Sequence, residues 1–328
     1  MSNAPMNRLA VLTSGGDAAG MNAAIRAIVR AGVDRNIQIF GVHGGFTGLI
    51  AGEMVPLGPR DVGGIIGKGG TFLGTTRCAR IRSADGQASA IQQLRQRAIE
   101  GLIVIGGNGS QSAAYELSER GLAVVGVAST IDNDLVGADP SIGFVTAVDV
   151  ALEAIDRLRV TASSHNRVFL VEVMGRDSGH IALAASIAGG AEACVVPERQ
   201  MPPETVAQEI RAAYARGKSH AIVVVAEGAA YNAEHLAGYF REHVGRLGFE
   251  LRVTTLGHVQ RGGSPGLFDR MLATELGVAA IDSIAARRTG VLLGRLNGSV
   301  VATPLAKVAH ARKAPPAAQL ELAALLAK

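Results

Sequence analysis

Two carboxylates near the middle of the chain are the first candidates for chemistry. Asp132 and Asp134 belong to the hexapeptide STIDND, which directly follows the apolar run LAVVGVA. Alternate residues of an extended segment point to the same side, so the two carboxylates could share one site. One could then act as a general base and the other as a ligand of a metal ion. An Asx turn at the end of a strand is the structural alternative.

Three glycine-rich segments have the composition of phosphate-binding turns. They are SGGDAAGMN (14–22), KGGTFLGTTRCARIR (68–82) and GGNGS (106–110). In the first and third, glycines stand between a strand-like run and a helix-like run, where backbone N–H groups and a helix N-terminus attract anions. A tight turn that merely requires glycine is the alternative for the first segment. The second adds Arg77, Arg80 and Arg82, which could neutralise phosphate charge, although Arg80 is also typical of a solvated basic surface.

Further polar groups follow other apolar runs, in SSHNR (163–167), EVMGRDSGH (172–180), AEG (226–228) and RVTTLGHVQRGGSP (252–265). These segments contribute Arg167, Met174, Gly175, Arg176, Glu227, Arg252, His258 and Arg261. Their four arginines suit a doubly anionic substrate, and Glu227 could accept hydrogen bonds from sugar hydroxyls. Isolated histidines such as His165 and His180 are more often structural. His258 stands three residues before Arg261 and could contact a phosphate or a hydroxyl.

The arrangement of these motifs predicts an α/β protein with mainly parallel sheets. Near-continuous apolar strands alternate with helix-like segments, which predicts sheets covered by helices on both faces. Ligands of such folds bind beyond the carboxyl ends of the strands, where the polar motifs stand. The same pattern predicts two domains, one formed by 1–138 plus about 251–300 and the other by 139–250 plus about 301–328.

Composition limits the class of protein. Of 328 residues, 48% are apolar and 18% are charged, which indicates a globular chain with a large core. The net charge of +4 is not gathered into a basic block and aromatic residues are 4%, so small anionic substrates are favoured over nucleic acid. No apolar run approaches the roughly 18 residues of a membrane span, and no signal peptide is predicted. Cys78 and Cys194 are predicted to be free thiols of a cytoplasmic protein.

Six motifs resemble, in order and spacing, those of bacterial-type 6-phosphofructokinases. They are LTSGGDAAGMNAAIR, GGTFLGTTRC, GLIVIGGNGS, TIDND, VEVMGRDSGH and LGHVQRGGSP, and the resemblance covers nearly the whole chain, thinning beyond about residue 300. It implies two three-layer α/β/α domains, the first binding nucleotide and the second sugar phosphate, with the active site in the cleft between them. It also implies transfer of the γ-phosphoryl group of ATP to the 1-hydroxyl of fructose 6-phosphate, a step of glycolysis.

The resemblance implies a role for each candidate in the sugar site. Asp132 would take the proton of the sugar hydroxyl, with Thr130 and Arg176 as further catalytic groups. The substrate would be bound by Thr130, Ile131, Asp132, Arg167, Met174, Gly175, Arg176, Glu227, Arg252, His258 and Arg261. Of these, Arg167 and Arg252 would reach into the site of a neighbouring subunit, which implies a homotetramer.

The resemblance also implies nucleotide, metal and effector sites. ATP would be bound by Gly16, Arg77, Cys78, Gly107, Asn108, Gly109 and Ser110. Mg²⁺ would be associated with Asn108 and Asp134. An allosteric site for a nucleotide diphosphate or phosphoenolpyruvate would be formed by Arg26, Arg30, Arg159, Glu192, Arg216, Lys218 and His220.

Three positions depart from the pattern of the family. Asn108 replaces a magnesium-linked aspartate, and Ala19 replaces a common proline. Ser129 stands where the ATP-dependent enzymes usually have glycine and the pyrophosphate-dependent enzymes have lysine. Gly109 favours ATP, because the aspartate of the pyrophosphate enzymes would crowd and repel the α-phosphate of a nucleotide. A pyrophosphate-dependent phosphofructokinase and a non-catalytic sensor of sugar phosphate or nucleotide are the alternatives, and a related acceptor such as sedoheptulose 7-phosphate is not excluded.

Overall fold

The computed structural model describes residues 6–247, 249 and 251–327, in which strands alternate with helices. The strands are β1 (Arg8–Ser14), β2 (Gln38–Val42), β3 (Met54–Leu57), β4 (Gly101–Gly106), β5 (Ala123–Ala128), β6 (Val168–Val173), β7 (Ala193–Val195), β8 (Ala221–Ala226), β9 (Leu251–Thr255), β10 (Val291–Leu296) and β11 (Ser299–Pro304). The helices are α1 (Met21–Asp34), α2 (Gly45–Ala51), α3 (Ala84–Gln96), α4 (Asn108–Glu119), α5 (Phe144–His165), α6 (His180–Gly189), α7 (Pro203–Ala215), α8 (Ala233–Glu242), α9 (Val244–Leu247), α10 (Leu267–Ala285), α11 (Leu305–Val308) and α12 (Ala317–Leu326).

The chain divides into two compact units. Unit 1 comprises the residues up to Ile131, Leu135–Thr146 and Arg261–Arg312. Unit 2 comprises Asp132–Asp134, Ala147–Gln260 and the residues from Lys313 onward. Among the helices of the described residues, none has the combination of length and apolar character that a bilayer span requires.

Unit 1 contains a seven-stranded sheet in the order β11-β10-β5-β4-β1-β2-β3. The five inner strands pair in parallel, and β3 and β11 add antiparallel edges. All six residues of β4 are buried, as expected for a central parallel strand without polar alternation. The polar motifs therefore lie past the ends of the strands, not on their faces.

Helices cover both faces of this sheet. On one face Leu12 packs in a cluster with Leu94 of α3 and Leu117 of α4. On the other face Gly101 lies against α10, because a Cβ at this glycine would come within 2.7 Å of Ile284 Cδ1. This arrangement gives unit 1 three layers, as the sequence predicts.

Unit 2 contains a four-stranded parallel sheet in the order β7-β8-β6-β9. Val223 of β8 packs with Val206 of α7 and Leu236 of α8 on one face. Helices α6 and α12 pack against β8 and β7. The prediction of two α/β units with mainly parallel sheets is confirmed.

The predicted boundaries between the units are wrong at the first crossing, since residues 139–146 lie in unit 1 and Asp132–Asp134 in unit 2, and also at the two later ones. Strand β9 pairs with β6 and belongs to unit 2, so the chain returns to unit 1 at Arg261 and not near 251. Strand β11 pairs with β10 and keeps the chain in unit 1 until Arg312. Sequence pattern identified the residues of β9 as strand-like, but the partner of an edge strand depends on contacts with residues distant in the chain.

Candidate active site

Two of the glycine-rich turns meet at the carboxyl ends of neighbouring strands in unit 1. Ser14, the last residue of β1, is in register with Gly106, the last residue of β4. Ser110 lies against both turns, since its Oγ is 3.3 Å from the Cβ position of Gly15 and 2.6 Å from that of Gly106. The absence of a side chain at Gly106 is therefore required for the two turns to approach.

The remaining glycine-rich segment, residues 68–82, packs against the first. Thr75 Oγ1 donates a hydrogen bond to the carbonyl of Gly15 at 2.8 Å. The side chain of Asn22 is both a donor and an acceptor to segment 68–82. It donates to Lys68 O at 3.1 Å and accepts from Phe72 N at 2.7 Å. All three segments predicted to bind phosphate thus form one cluster.

The GGNGS turn is the start of a helix. Helix α4 begins at Asn108, so its first backbone N–H groups and its positive end face the turn. A Cβ at Gly109 would meet nothing closer than Arg82 Nη2 at 4.0 Å. The backbone at this position is open to a bulky anion.

Asn108 carries the main irregularity of this turn. Its Oδ1 is buried and has no hydrogen-bond partner among the residues that the structure describes. An unsatisfied buried oxygen costs about 1–3 kcal/mol, so such an atom is usually completed by a ligand, a metal ion or a water. The amide oxygen of Asn108 is therefore available to complete a ligand shell.

The three arginines of segment 68–82 differ in their contacts. Arg80 pairs with Asp85 at 2.7 Å in an exposed ion pair, which fits the structural interpretation of this residue. Arg82 pairs with Glu116 at 2.8 Å and donates to Gly109 O at 3.0 Å, and it thereby holds the GGNGS turn. Arg77 is exposed, which leaves its guanidinium accessible to a ligand.

Arg261 lies against the first glycine turn. Its Nη1 donates to Asp17 O at 2.9 Å and would be 2.3 Å from a Cβ at Gly16. Gly16 is therefore needed for this arginine to pack. Arg261 was predicted to bind the sugar phosphate, and the structure brings it to a residue that was predicted to bind the nucleotide.

The residues between β5 and Asp132 are held by the segment that precedes α5. Thr130 N–H donates to Ile142 O at 3.1 Å, and Ser141 Oγ donates to Thr130 O at 2.7 Å. The side chain of Ile131 is fully buried, so this residue can offer a ligand only its backbone. Ser129 is also buried, and its hydroxyl donates a long hydrogen bond of 3.4 Å to Ile142 O.

The predicted extended geometry of STIDND is wrong. Strand β5 ends at Ala128, residues 131–132 form a turn, and Asn133 has a left-handed backbone with φ of 51°. Period-two alternation therefore does not relate Asp132 to Asp134. Both carboxylates are nevertheless 8% exposed, which is unusual for acidic residues and favours a specific role.

In unit 2 a tight cluster forms around Asp132. Nε of Arg176 lies 3.9 Å from Asp132 Oδ2. Glu227 Oε1 accepts hydrogen bonds from the backbone N–H groups of Gly175 at 3.2 Å and Arg176 at 2.8 Å. Met174 N–H donates to Gln260 Oε1 at 2.7 Å. Five residues predicted to bind the substrate are thus brought together, namely Asp132, Met174, Gly175, Arg176 and Glu227.

Two predicted substrate arginines lie at the amino ends of the strands of the same sheet, opposite to the Asp132 cluster. Arg167 directly precedes β6, and Arg252 stands opposite Phe169 near the start of β9. The cluster around Arg176 follows the end of β6, which is six residues or about 20 Å away. Within unit 2 the structure therefore separates these two arginines from Asp132. His258 is exposed on the 3₁₀ turn Gly257–Gln260.

A metal ion would find few protein ligands here. The described residues contain no group of three or more His, Cys, Asp and Glu side chains that could hold a metal ion. The buried Asn108 Oδ1 and the buried Asp134 carboxylate are oxygen donors of the kind that Mg²⁺ accepts. Each of these donors, taken within its own unit, would leave most of the ligand positions of such an ion to phosphates and water.

Comparison with known proteins decides between the possible families. The phosphofructokinase family model matches residues 8–284. ATP-dependent 6-phosphofructokinase 1 of Thermus thermophilus is 50% identical over 324 residues, which cover 98% of this chain and 100% of the relative. The chain belongs to the phosphofructokinase family. The ATP-dependent 6-phosphofructokinase of Streptococcus sanguinis is 48% identical over 300 residues, which cover 92% of this chain and 88% of the relative.

Solved phosphofructokinases share the fold. The Pichia pastoris enzyme in the T-state superposes with a TM-score of 0.88 at 34% identity, covering 94% of this chain and 36% of that one. A pyrophosphate-dependent phosphofructokinase from Nitrosospira multiformis gives a TM-score of 0.86 at 20% identity, covering 98% of this chain and 92% of that one. At that identity the second match shows the fold alone.

Several of the predicted effector residues of this phosphofructokinase already have partners in the chain. Glu192 is 1% exposed and accepts from Lys218 Nζ at 2.7 Å and Ile222 N at 2.6 Å. Arg216 donates to Ala327 O at 2.9 Å, and Arg159 donates to Gly189 O. His220, which directly precedes β8, is half-buried. Arg26 and Arg30 lie on α1 of unit 1.

Sequence reasoning missed three polar residues of these sites. Ser178 and Gln260 are buried and bind the backbone of Asp132 and Met174, and Asn22 binds segment 68–72. Each stands inside or beside a quoted motif but has its partner far away in the chain. Because their roles depend on non-local contacts, no spacing rule in the sequence indicates them.

Proposed function

We propose that this chain is an ATP-dependent 6-phosphofructokinase, which transfers the γ-phosphoryl group of ATP to the 1-hydroxyl of fructose 6-phosphate. Identity of 50% to an ATP-dependent 6-phosphofructokinase over 98% of the chain is the observation that carries the proposal. The products are fructose 1,6-bisphosphate and ADP. The reaction is a step of glycolysis. An enzyme that catalyses it is a phosphotransferase with an alcohol acceptor.

Asp132 is the residue that we assign as general base. Phosphoryl transfer needs positioning, neutralisation of charge and a group that orients the nucleophile. In this role the Asp132 carboxylate takes the proton of the 1-hydroxyl as its oxygen bonds to the γ-phosphorus and the bond to ADP breaks. Arg176, 3.9 Å from that carboxylate, would neutralise charge on the transferring group, and Thr130 would lie beside the sugar.

The remaining sugar contacts are assigned by the same resemblance. Met174, Gly175 and Glu227 would contact the sugar, while His258 and Arg261 would bind its 6-phosphate. Glu227 also holds the 175–176 backbone, which supports its assignment to the same cluster as Arg176. Arg167 and Arg252, distant from Asp132 within unit 2, would serve the site of a neighbouring subunit in a homotetramer.

The nucleotide would bind at the cluster of glycine-rich turns. Gly16, Arg77, Cys78 and residues 107–110 are the proposed contacts, with the N-terminus of α4 directed at phosphate. Open space at Gly109 supports a nucleotide donor over pyrophosphate. Ser129 is buried and bonded to Ile142 O, so it offers no cation of the kind a lysine would bring to a pyrophosphate.

Mg²⁺ would bind mainly through the phosphates of the donor. Asn108 would contribute its unsatisfied Oδ1, directly or through a water, and Asp134 a buried carboxylate. When bound, the ion would neutralise charge on the β- and γ-phosphates. The neutral amide of Asn108 adds no charge that would hold the ion by itself.

A donor and acceptor panel on purified protein tests the proposal. ATP and pyrophosphate are each assayed with Mg²⁺ against fructose 6-phosphate and sedoheptulose 7-phosphate. Turnover with ATP and fructose 6-phosphate is expected to exceed all other pairs. Preference for pyrophosphate would reject ATP as donor, and ligand binding without turnover with either donor would indicate a sensor.

Effector control is a separate proposal, and the residues that would form its site are Arg26, Arg30, Arg159, Glu192, Arg216, Lys218 and His220. A nucleotide diphosphate or phosphoenolpyruvate would have to compete with the Lys218–Glu192 pair, which is already formed. A change of the fructose 6-phosphate saturation curve on adding either compound is expected. An unchanged curve would reject effector control.

A further inference from the structure

A serine joins the main chain of Asp132 to the turn that follows β6. Ser178 is 5% exposed, and its Oγ donates a hydrogen bond to the carbonyl oxygen of Asp132 at 3.1 Å. The same Oγ lies 2.7 Å from Nδ1 of His180 and 3.4 Å from the backbone N of that residue. His180 is 4% exposed and is the first residue of α6. One buried hydroxyl therefore connects the proposed base to a buried imidazole.

The number of available protons assigns the role of each group. A carbonyl oxygen can only accept, so the single hydroxyl proton of Ser178 is used at Asp132. Nδ1 of His180 must then be the donor to Ser178 Oγ, which places a proton on Nδ1. In the other neutral tautomer, Nδ1 and the Asp132 carbonyl would compete for one proton, and one buried acceptor would lose this donor.

The turn itself is fixed independently of this hydrogen bond. Arg176 has a left-handed backbone with φ of 51°, which a long side chain adopts only where its surroundings impose it. Glu227 accepts from two successive N–H groups at this point. Gly179 N–H donates to Glu198 Oε1 at 2.8 Å on the other side of Ser178. Ser178 is thus mounted on a rigid segment.

Asp132 is attached to that segment at two points. Its carboxylate faces Arg176 Nε at 3.9 Å, and its peptide carbonyl is held by Ser178. We propose that Ser178 and His180 are positioning residues, which fix the orientation of the Asp132 carboxylate by holding its peptide group. The inference rests on the proposed function, in which that carboxylate takes the proton of the 1-hydroxyl.

Loss of this hydrogen bond is expected to affect turnover and not binding. The carboxylate of a general base must lie within hydrogen-bond reach of its proton in the transition state. Rotation of the peptide group would move the carboxylate from that position, whereas phosphate and sugar contacts made by other residues would persist. Such a change lowers kcat and leaves KM nearly constant.

The first test removes the hydroxyl. Ser178→Ala is expected to lower kcat about tenfold and to change the KM for fructose 6-phosphate by less than about twofold. Ser186→Ala is the matched control, because Ser186 is also a buried serine, 3% exposed, and lies on α6, the helix that begins two residues after Ser178. The control is expected to keep wild-type kcat. Thermal midpoints of both variants show whether a lost hydroxyl merely destabilises α6.

The second test keeps Ser178 and changes its partner. His180→Asn retains an N–H at the position of Nδ1 and is expected to keep most of the wild-type turnover. His180→Gln carries its N–H at the position of Nε2, so the Ser178 hydroxyl still donates to Asp132 but loses the donor that orients it, and turnover is expected to fall below that of His180→Asn by less than it does in Ser178→Ala. This pair also decides the matter if Ser178→Ala does not fold.

The third test asks whether the serine acts through Asp132. In an Asp132→Ser background, Ser178→Ala is expected to cause no further loss of the residual turnover. If the wild type is active, any one of three results would overturn this inference alone. They are full kcat in Ser178→Ala, equal turnover in His180→Gln and His180→Asn, and an additive loss in the double variant. A wild type without turnover with any donor would instead reject the proposed function, and the inference with it.

Discussion

At the residue scale, most of the proposed chemistry depends on the buried carboxylate of Asp132. Replacement by serine removes the base but retains a small polar side chain, so substrate binding should persist. We expect Asp132→Ser to lower kcat by about 10²–10⁴-fold, the range typical of a lost general base. The KM for fructose 6-phosphate should change little, and steady-state kinetics measure both. Near-normal turnover of this variant would show that the assignment is wrong.

Asn108 is the second residue whose proposed role can be isolated. Asn108→Asp replaces a neutral amide by a carboxylate at an unsatisfied buried oxygen. We expect the Mg²⁺ concentration for half-maximal rate to fall, because added negative charge attracts the ion, while the KM for fructose 6-phosphate stays constant. Mg²⁺ titration at fixed ATP measures the first effect.

A control for this change uses a remote asparagine. Asn36→Asp makes the same chemical substitution at an exposed position and should leave the Mg²⁺ curve unchanged. If Asn108→Asp behaved as this control does, Asn108 would be no more than a loop residue. Binding of Mg²⁺–nucleotide measured by calorimetry provides a readout that does not depend on turnover.

The residue scale also shows where sequence reasoning reached its limit. The glycine-rich turns were predictable, because glycine pairs between a strand and a helix are a local signal. The conformation of STIDND was not, because asparagine accepts both an extended backbone and the left-handed φ of 51° found at Asn133, and the motif alone does not choose between them. The same holds for the Ser178–Asp132 hydrogen bond, which joins residues 46 positions apart.

At the element scale, strands and helices were predictable, but the pairing of edge strands was not. The sequences of β4 and β8 are continuously apolar, which predicts central parallel strands, and both strands are buried throughout. Strand β9 is partly exposed, and nothing in its own residues selects β6 as the neighbour. The boundary error near residue 251 follows directly from this ambiguity.

One element contact gives a prediction for stability. Asp269 of α10 is fully buried and accepts from Gly143 N at 2.8 Å, Thr146 N at 2.8 Å and Thr146 Oγ1 at 2.6 Å. Asp269→Ala leaves these donors without that acceptor, at a cost of about 3 kcal/mol. We expect the thermal midpoint to fall by roughly 5 °C or more.

Glu275→Ala provides the comparison on the same helix. Glu275 lies 3.9 Å from Arg295 in a partly exposed ion pair, and such pairs contribute about 0–1 kcal/mol. Its thermal midpoint should therefore stay close to that of the wild type. Equal midpoints for Asp269→Ala and Glu275→Ala would contradict a structural role for the buried carboxylate.

At the scale of the whole molecule, the two ends of strand β6 carry different groups of proposed site residues. Asp132 and Arg176 lie beyond the carboxyl end of β6, whereas Arg167 and Arg252 lie at its amino end. An arginine side chain cannot cross the length of a six-residue strand, about 20 Å. The proposed homotetramer resolves this separation, because arginines from one chain would complete the site of another.

Mixed oligomers test this proposal directly. Asp132→Ser and Arg252→Ala are each expected to be nearly inactive alone. When the two variants are dissociated, mixed and reassociated, some sites would combine an intact Asp132 from one chain with an intact Arg252 from the other, so activity should return. A mixture of Asp132→Ser with Arg176→Ala is the control, since both residues belong to one chain's cluster and no site can regain both. Recovery in the control, or none in the first mixture despite mixed oligomers detected by native mass spectrometry, would contradict sites completed across subunits.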